Sequence, residues 1–138
     1  FEQEEFFIGI EDEIKKLFMT DGNDVKIASS PFLHPFPHNK VYCGSENNYE
    51  QWIVWIIKKI NHIQHRDPTV YKELYQILSN APNLRQRRLW LNAGILGGHR
   101  DVVLNTLENI CARFTENTAD INLNMPVFVC TLYVQQDI

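Results

Sequence analysis

Trp90-Leu91-Asn92-Ala93-Gly94-Ile95-Leu96-Gly97-Gly98-His99-Arg100 sets polar and glycine-rich chemistry between a short apolar strand and an amphipathic helix. Three glycines within five residues leave room where a ligand or a second backbone comes close, and they permit positive φ at a turn. The flanks read as a strand over 89–92, an extended return over 95–98, and a helix over 101–114 with Val103, Leu107, Ile110, Cys111 and Phe114 inward. Such a junction either lines a site or only turns the chain. A second polar loop, Asp21-Gly22-Asn23-Asp24, closes the apolar run Leu17-Phe18-Met19, which reads as a buried strand.

Between these two loops the chain alternates further. A short helix is expected over 11–16 and an extended piece over 25–28. Three prolines in Pro31-Phe32-Leu33-His34-Pro35-Phe36-Pro37 impose an irregular loop, and residues 40–43 form a strand closed by Gly44-Ser45-Glu46. From 48 to 63 the residues Trp52, Ile53, Ile56, Ile57, Ile60 and Ile63 recur at helical steps, with Asn47 or Asn48 as cap. A second helix is predicted over 67–78, with Pro68 in its first turn. The final helix is expected to begin near Asp120 and to carry Met125, Phe128, Val129 and Leu132. Strands alternating with helices predict an α/β layer fold with a mixed, mostly parallel sheet flanked by helices, in one domain spanning 1–138. Ligands of such folds bind at the carboxyl ends of the strands, which is where both polar loops fall.

The totals fit one globular domain: 138 residues, of which 44% are hydrophobic and 12% aromatic. Thirteen basic and seventeen acidic residues leave a net charge of −4, so no broad surface for nucleic acid is expected. The one basic knot, Arg85-Gln86-Arg87-Arg88, reads as a solvated face. Cys43, Cys111 and Cys130 are odd in number and widely spaced, which predicts reduced, packed thiols rather than a disulfide framework or a zinc site. With no apolar run long enough to span a bilayer and no leader at Phe1, a soluble, cytoplasmic chain is expected.

Several residues could carry chemistry. Asp21 and Asp24 can turn two carboxylates to one point, an arrangement that a hard cation such as Mg²⁺ or Mn²⁺ would neutralise, or they can simply form an Asx-turn. His99 follows the glycine stretch directly and could reach a ligand there. His62 and His65 fall at a helix end, where they would meet its dipole. Asp120 and Asn124, one helical turn apart, could grip a pair of sugar hydroxyls, and the carboxylate could accept a proton. No serine or cysteine has an identifiable base nearby in sequence, and no Walker or dinucleotide glycine pattern occurs.

Taken in order, four stretches resemble a GT-A-type glycosyltransferase, the nucleotide-sugar-dependent class with an acidic metal-binding motif. Residues 17–25, Leu-Phe-Met-Thr-Asp-Gly-Asn-Asp-Val, followed by Pro31-Phe32, look like the strand, T-D-x-x-D-V, P-F form of that motif. Tyr42-Cys43-Gly44-Ser45-Glu46 is similar to the following strand with its terminal Glu. Leu91-Asn92-Ala93-Gly94-Ile95-Leu96-Gly97-Gly98 looks like the N-A/S-G-x-x-G-G turn. Asp120-Ile121-Asn122-Leu123-Asn124 is similar to a D-Q-x-x-N element, with Ile121 in place of Gln.

The resemblance implies a partial GT-A (Rossmann-like) domain, its central to C-terminal part, with the first nucleotide-binding βαβ unit preceding residue 1. It implies that Asp21 and Asp24 hold Mn²⁺ or Mg²⁺ on the diphosphate of a nucleotide-sugar donor. Asn92, Ala93, Gly94, Gly97 and Gly98 would line the donor and acceptor pocket, and Asp120 and Asn124 would contact the transferred sugar, with Asp120 the catalytic residue. The acceptor would be a glycan, protein or small molecule. Two other functions fit the residues less fully: a non-enzymatic α/β binding or assembly module using Tyr49, Trp52 and Trp55 as a partner surface, and a phosphate-processing hydrolase with Asp21 as nucleophile.

Overall fold

The computed structural model describes residues 14–23, 25–33, 35, 37–80, 90–118 and 122–135. Asp24, His34, the Arg85 to Arg88 knot, Asp120, Ile121 and residues 11–13 of the expected first helix lie outside the described residues. The elements run β1 (Lys16–Thr20), a 3₁₀ turn (Pro31–Leu33), β2 (Val41–Ser45), α1 (Tyr49–Asn61), α2 (Pro68–Asn80), β3 (Leu91–His99), α3 (Arg100–Ala112) and α4 (Asn124–Gln135). Residues 25–28 form no strand.

The fold is mixed α/β. Its sheet, however, is antiparallel throughout the described residues, in the order β1-β3-β2, where a mostly parallel sheet was expected. A continuous apolar run such as Leu17 to Met19 carries no information about the direction of the neighbour, and β1, expected as a buried strand, is an edge strand whose apolar residues are only half-buried. The glycine-rich stretch is also corrected. Instead of a strand, a turn and a return, Leu91–His99 is one nine-residue strand at the centre of the sheet. Its glycines serve close packing within the sheet. Phe18 lies directly across from Gly97, and its ring covers that glycine so closely that a β-carbon there would fall 2.2 Å from Cδ1.

Helix boundaries follow their caps. Asn48 Oδ1 accepts from the Gln51 N–H at 3.1 Å, Glu50 sits in the first turn of α1, and Lys58 and Lys59 sit in the last, each complementing the helix dipole. Asp67 caps α2 by accepting from the Val70 N–H at 3.2 Å and from the Thr115 hydroxyl at 2.7 Å; these hydrogen bonds, Thr115 first, hold its carboxyl below the usual range. Helix α4 starts at Asn124, not near 120, with Pro126 in the first turn, where its missing N–H is one of the donors no helix satisfies.

That last helix organises the core. Residues 126 to 133 are all buried, the pattern of a helix covered on every side, and α4 packs on β3, α1, α2 and α3. Against it lie Trp52, Ile56 and Ile60 of α1, Val70, Leu74 and Leu78 of α2, Val103 of α3, and Leu91 and Leu96 of β3. Trp52, on the apolar face of α1 and a partner-surface residue only in the binding-module alternative, is 4% exposed and donates its Nε1–H to the Leu91 carbonyl at 3.0 Å, tying α1 to the start of β3. Polar groups that enter this core are matched: Arg113 Nε donates to Thr131, and Gln135 Nε2 to Thr106. Among the described residues no helix is long and apolar enough to cross a membrane.

The three cysteines are free thiols in different settings. Cys111 is exposed, whereas burial pushes the Cys43 thiol up to about 11 and the Cys130 thiol up to about 12. A thiol-specific chromophore at pH 8 is therefore expected to titrate Cys111 quickly and the other two only after denaturation, because the thiolate is the attacking species. Both shifts are upward from the ordinary value of 9.0, so folding favours the protonated thiols. Their contribution is complete below pH 9 and is lost as pH rises through 11 to 12. The thermal midpoint should fall across that window, and less so in Cys43→Ala.

Candidate functional site at a bulge in the central strand

Strand β3 is paired on both sides, but its two partners meet it at different heights. On one side β1 covers its C-terminal half, from Thr20 opposite Ile95 to Lys16 opposite His99. On the other, β2 pairs Val41, Tyr42 and Cys43 with Gly98, Gly97 and Leu96, then jumps so that Gly44 and Ser45 face Asn92 and Leu91. Ala93, Gly94 and Ile95 fall in the jump. The result is a wide bulge in the central strand, a device that commonly re-aims side chains beside functional sites.

The backbone groups of this bulge find partners drawn from distant parts of the sequence. Asp21, the first residue past β1, donates its N–H to the Gly94 carbonyl at 3.0 Å. Asn92 Oδ1 accepts from the Gly94 N–H at 2.7 Å, while its Nδ2 donates to the Glu46 carboxylate. The Ala93 N–H points at the sulfur of Met125, 3.2 Å away, in the first turn of α4. Glu46 is itself fixed by its own N–H, which donates to the Trp90 carbonyl at 2.7 Å. Gly94 stands where these groups converge. A methyl group there would lie 2.9 Å from Asn92 Oδ1 and 3.4 Å from Asp21 Oδ2.

Asp21, Asn92, Ala93 and Gly94 are thus brought together, and Asn124 stands next to Met125, which touches Ala93. Gly97, Gly98 and His99 are not part of that cluster. At ~3.3 Å per residue the five steps from Gly94 to His99 place them up to about 17 Å along the strand. Gly97 lies under Phe18, Gly98 lies against the Lys40 carbonyl, and His99 caps α3 while its ring stacks on His38 at 4.0 Å. His62 is the C-cap of α1. Asn124 opens α4, so no helical turn of α4 links it back to Asp120.

The sequence reading assigned no role to Glu46 or Met125. Glu46 was visible as the terminal acid of its strand, but its pairing with Asn92, 46 residues later, depends on the antiparallel register of β2 and β3. For Met125 no signal beyond its place on an apolar helix existed.

The chemistry on offer is that of hard oxygen donors. Asp21 is exposed, and its carboxylate shares the neighbourhood of Gly94 with the Asn92 side-chain oxygen, a donor set of the type Mg²⁺ and Mn²⁺ accept. Among the described residues no group of three or more His, Cys, Asp or Glu side chains could hold a metal ion; Asp24 lies outside them. No family model, curated protein or solved structure matches the chain.

Proposed function

We propose that this chain is the catalytic-side part of a metal-dependent glycosyltransferase that moves a sugar from a nucleotide diphosphate to an acceptor hydroxyl. One observation carries the reading. Asp21, Glu46 and Asn92 to Gly94 come from three of the four stretches that resemble the GT-A class and meet at a single bulge, and Met125, the residue that follows the fourth stretch, touches Ala93 there. In this reading Asp21 and Asp24 would hold Mn²⁺ or Mg²⁺, which when bound supplies positive charge to the leaving diphosphate. Asn92, Ala93 and Gly94 line the donor sugar; the absence of a side chain at Gly94 lets the sugar approach the strand. As the bond from the anomeric carbon to the diphosphate oxygen breaks, the acceptor oxygen forms a new bond to that carbon, and its proton passes to Asp120.

The test is calorimetric titration of UDP and of GDP, with and without Mn²⁺, into the complete protein, including the nucleotide-binding unit that the resemblance places before residue 1. Metal-dependent binding is expected, weakened at least ~tenfold in Asp21→Ala, since a charge-assisted contact is worth about 1.5–3 kcal/mol. Binding of neither nucleotide, or binding indifferent to both Mn²⁺ and Asp21, overturns the reading. A non-enzymatic binding module is the second reading, favoured by Val54 and Trp55, which stand 64% and 39% exposed side by side on α1.

A further inference from the structure

We infer that Glu46 is a positioning residue, which fixes the orientation of the Asn92 amide and through it the shape of the site at Gly94. The inference rests on the glycosyltransferase reading for what the site binds, but the orientation follows from the contacts alone. A side-chain amide has a donor end and an acceptor end. Gly94 presents an N–H, so it requires the oxygen; the Glu46 carboxylate can only accept, so it requires the NH₂. Turning the amide over would set two donors against each other on one side and two acceptors on the other.

The fit around Asn92 supports this role. Its side chain lies against Gly44, whose missing β-carbon would stand 3.5 Å from Asn92 Cβ. Glu46 follows two residues later and is anchored through its own backbone to Trp90. With one amide hydrogen committed to Glu46 and the oxygen shared with Gly94, Asn92 offers its second N–H to a ligand. The site thereby selects an acceptor atom, such as a hydroxyl oxygen of the donor sugar or a phosphate oxygen. Glu46 need not touch the ligand itself.

The polarity of this contact can be inverted, which provides the test. Asn92→Asp sets a second carboxylate against Glu46. Glu46→Gln keeps an oxygen that can accept from Asn92. The double variant Glu46→Gln/Asn92→Asp restores one donor and one acceptor in reversed order, with the Asp still accepting from Gly94. Affinity for UDP in the presence of Mn²⁺ is measured on each variant by calorimetry, and the Gly94 amide proton shift by NMR without nucleotide. Asn92→Asp should weaken binding at least about tenfold and move the Gly94 signal, Glu46→Gln should stay within ~3-fold of the parent, and the double variant should recover the Gly94 signal while binding stays weak, because Asp has no N–H to offer the ligand.

Glu46→Ala should behave like Asn92→Asp, which keeps the inference testable if one variant does not fold. If Glu46→Ala moves the Gly94 signal but leaves affinity within ~3-fold of the parent, Glu46 is structural only and the inference falls. A Gly94 signal that does not recover in the double variant overturns it as well. Absence of UDP binding to the complete parent protein removes instead the glycosyltransferase reading on which the ligand assignment stands.

Discussion

Leu132→Ala is expected to cost about 3 kcal/mol and to lower the thermal midpoint by roughly 10 °C, as measured by calorimetry. Leu132 has no exposed surface and sits in the middle of α4, which is packed against the central strand and the three other helices at once. Truncation there removes about three methylene-sized groups from contact with several elements, none of which can move in without losing its own packing. A cost near the low end of the 2–5 kcal/mol range for such truncations would mean that α4 can shift towards the hole. An indistinguishable midpoint would show that α4 is not the organising helix.

Gly98→Ala should destabilise the protein by about 1–3 kcal/mol through the backbone itself. Gly98 has φ of +144°, a conformation L residues rarely adopt, and near the end of β3 a new β-carbon there would stand 2.9 Å from the carbonyl of Lys40, the residue before β2. Neither the backbone angle nor a main-chain carbonyl next to the first residue of β2 can yield cheaply. Gly22→Ala is the matched control, because a β-carbon there meets nothing within 4 Å and its φ is not in the positive range. Equal midpoints for the two variants would remove the strain argument. Gly98 thus holds the sheet together, whereas Gly94, four residues earlier, keeps space open beside Asp21 and Asn92.

The helices were legible because their evidence is local. Asn48 with Trp52, Ile56 and Ile60 defines both the start and the inner face of α1, and Pro68 with Val70, Leu74 and Leu78 does the same for α2. The sheet was less legible because its evidence is not local. Leu17 to Met19 marks a strand without saying what runs beside it or that it lies at the edge, and three glycines in Leu91–His99 look like punctuation until Phe18 and Lys40 are seen filling the space they leave. At the site, polar residue types at strand ends singled out Asp21 and Asn92 to Gly94. The link from Asn92 to Glu46 was hidden, since it follows from strand direction, which the sequence pattern leaves open.

The bulge has a bearing on how the chain moves. Leu96 to Gly98 are clamped by neighbours on both sides and Leu91 and Asn92 by β2, but the amides of Ala93 and Gly94 rest on a thioether and a side-chain oxygen instead. A sulfur acceptor is weak, and a side chain can rotate away without parting the sheet. The molecule therefore contains a compliant spot in the middle of its stiffest element, one able to adjust to an incoming ligand while the strand ends hold still.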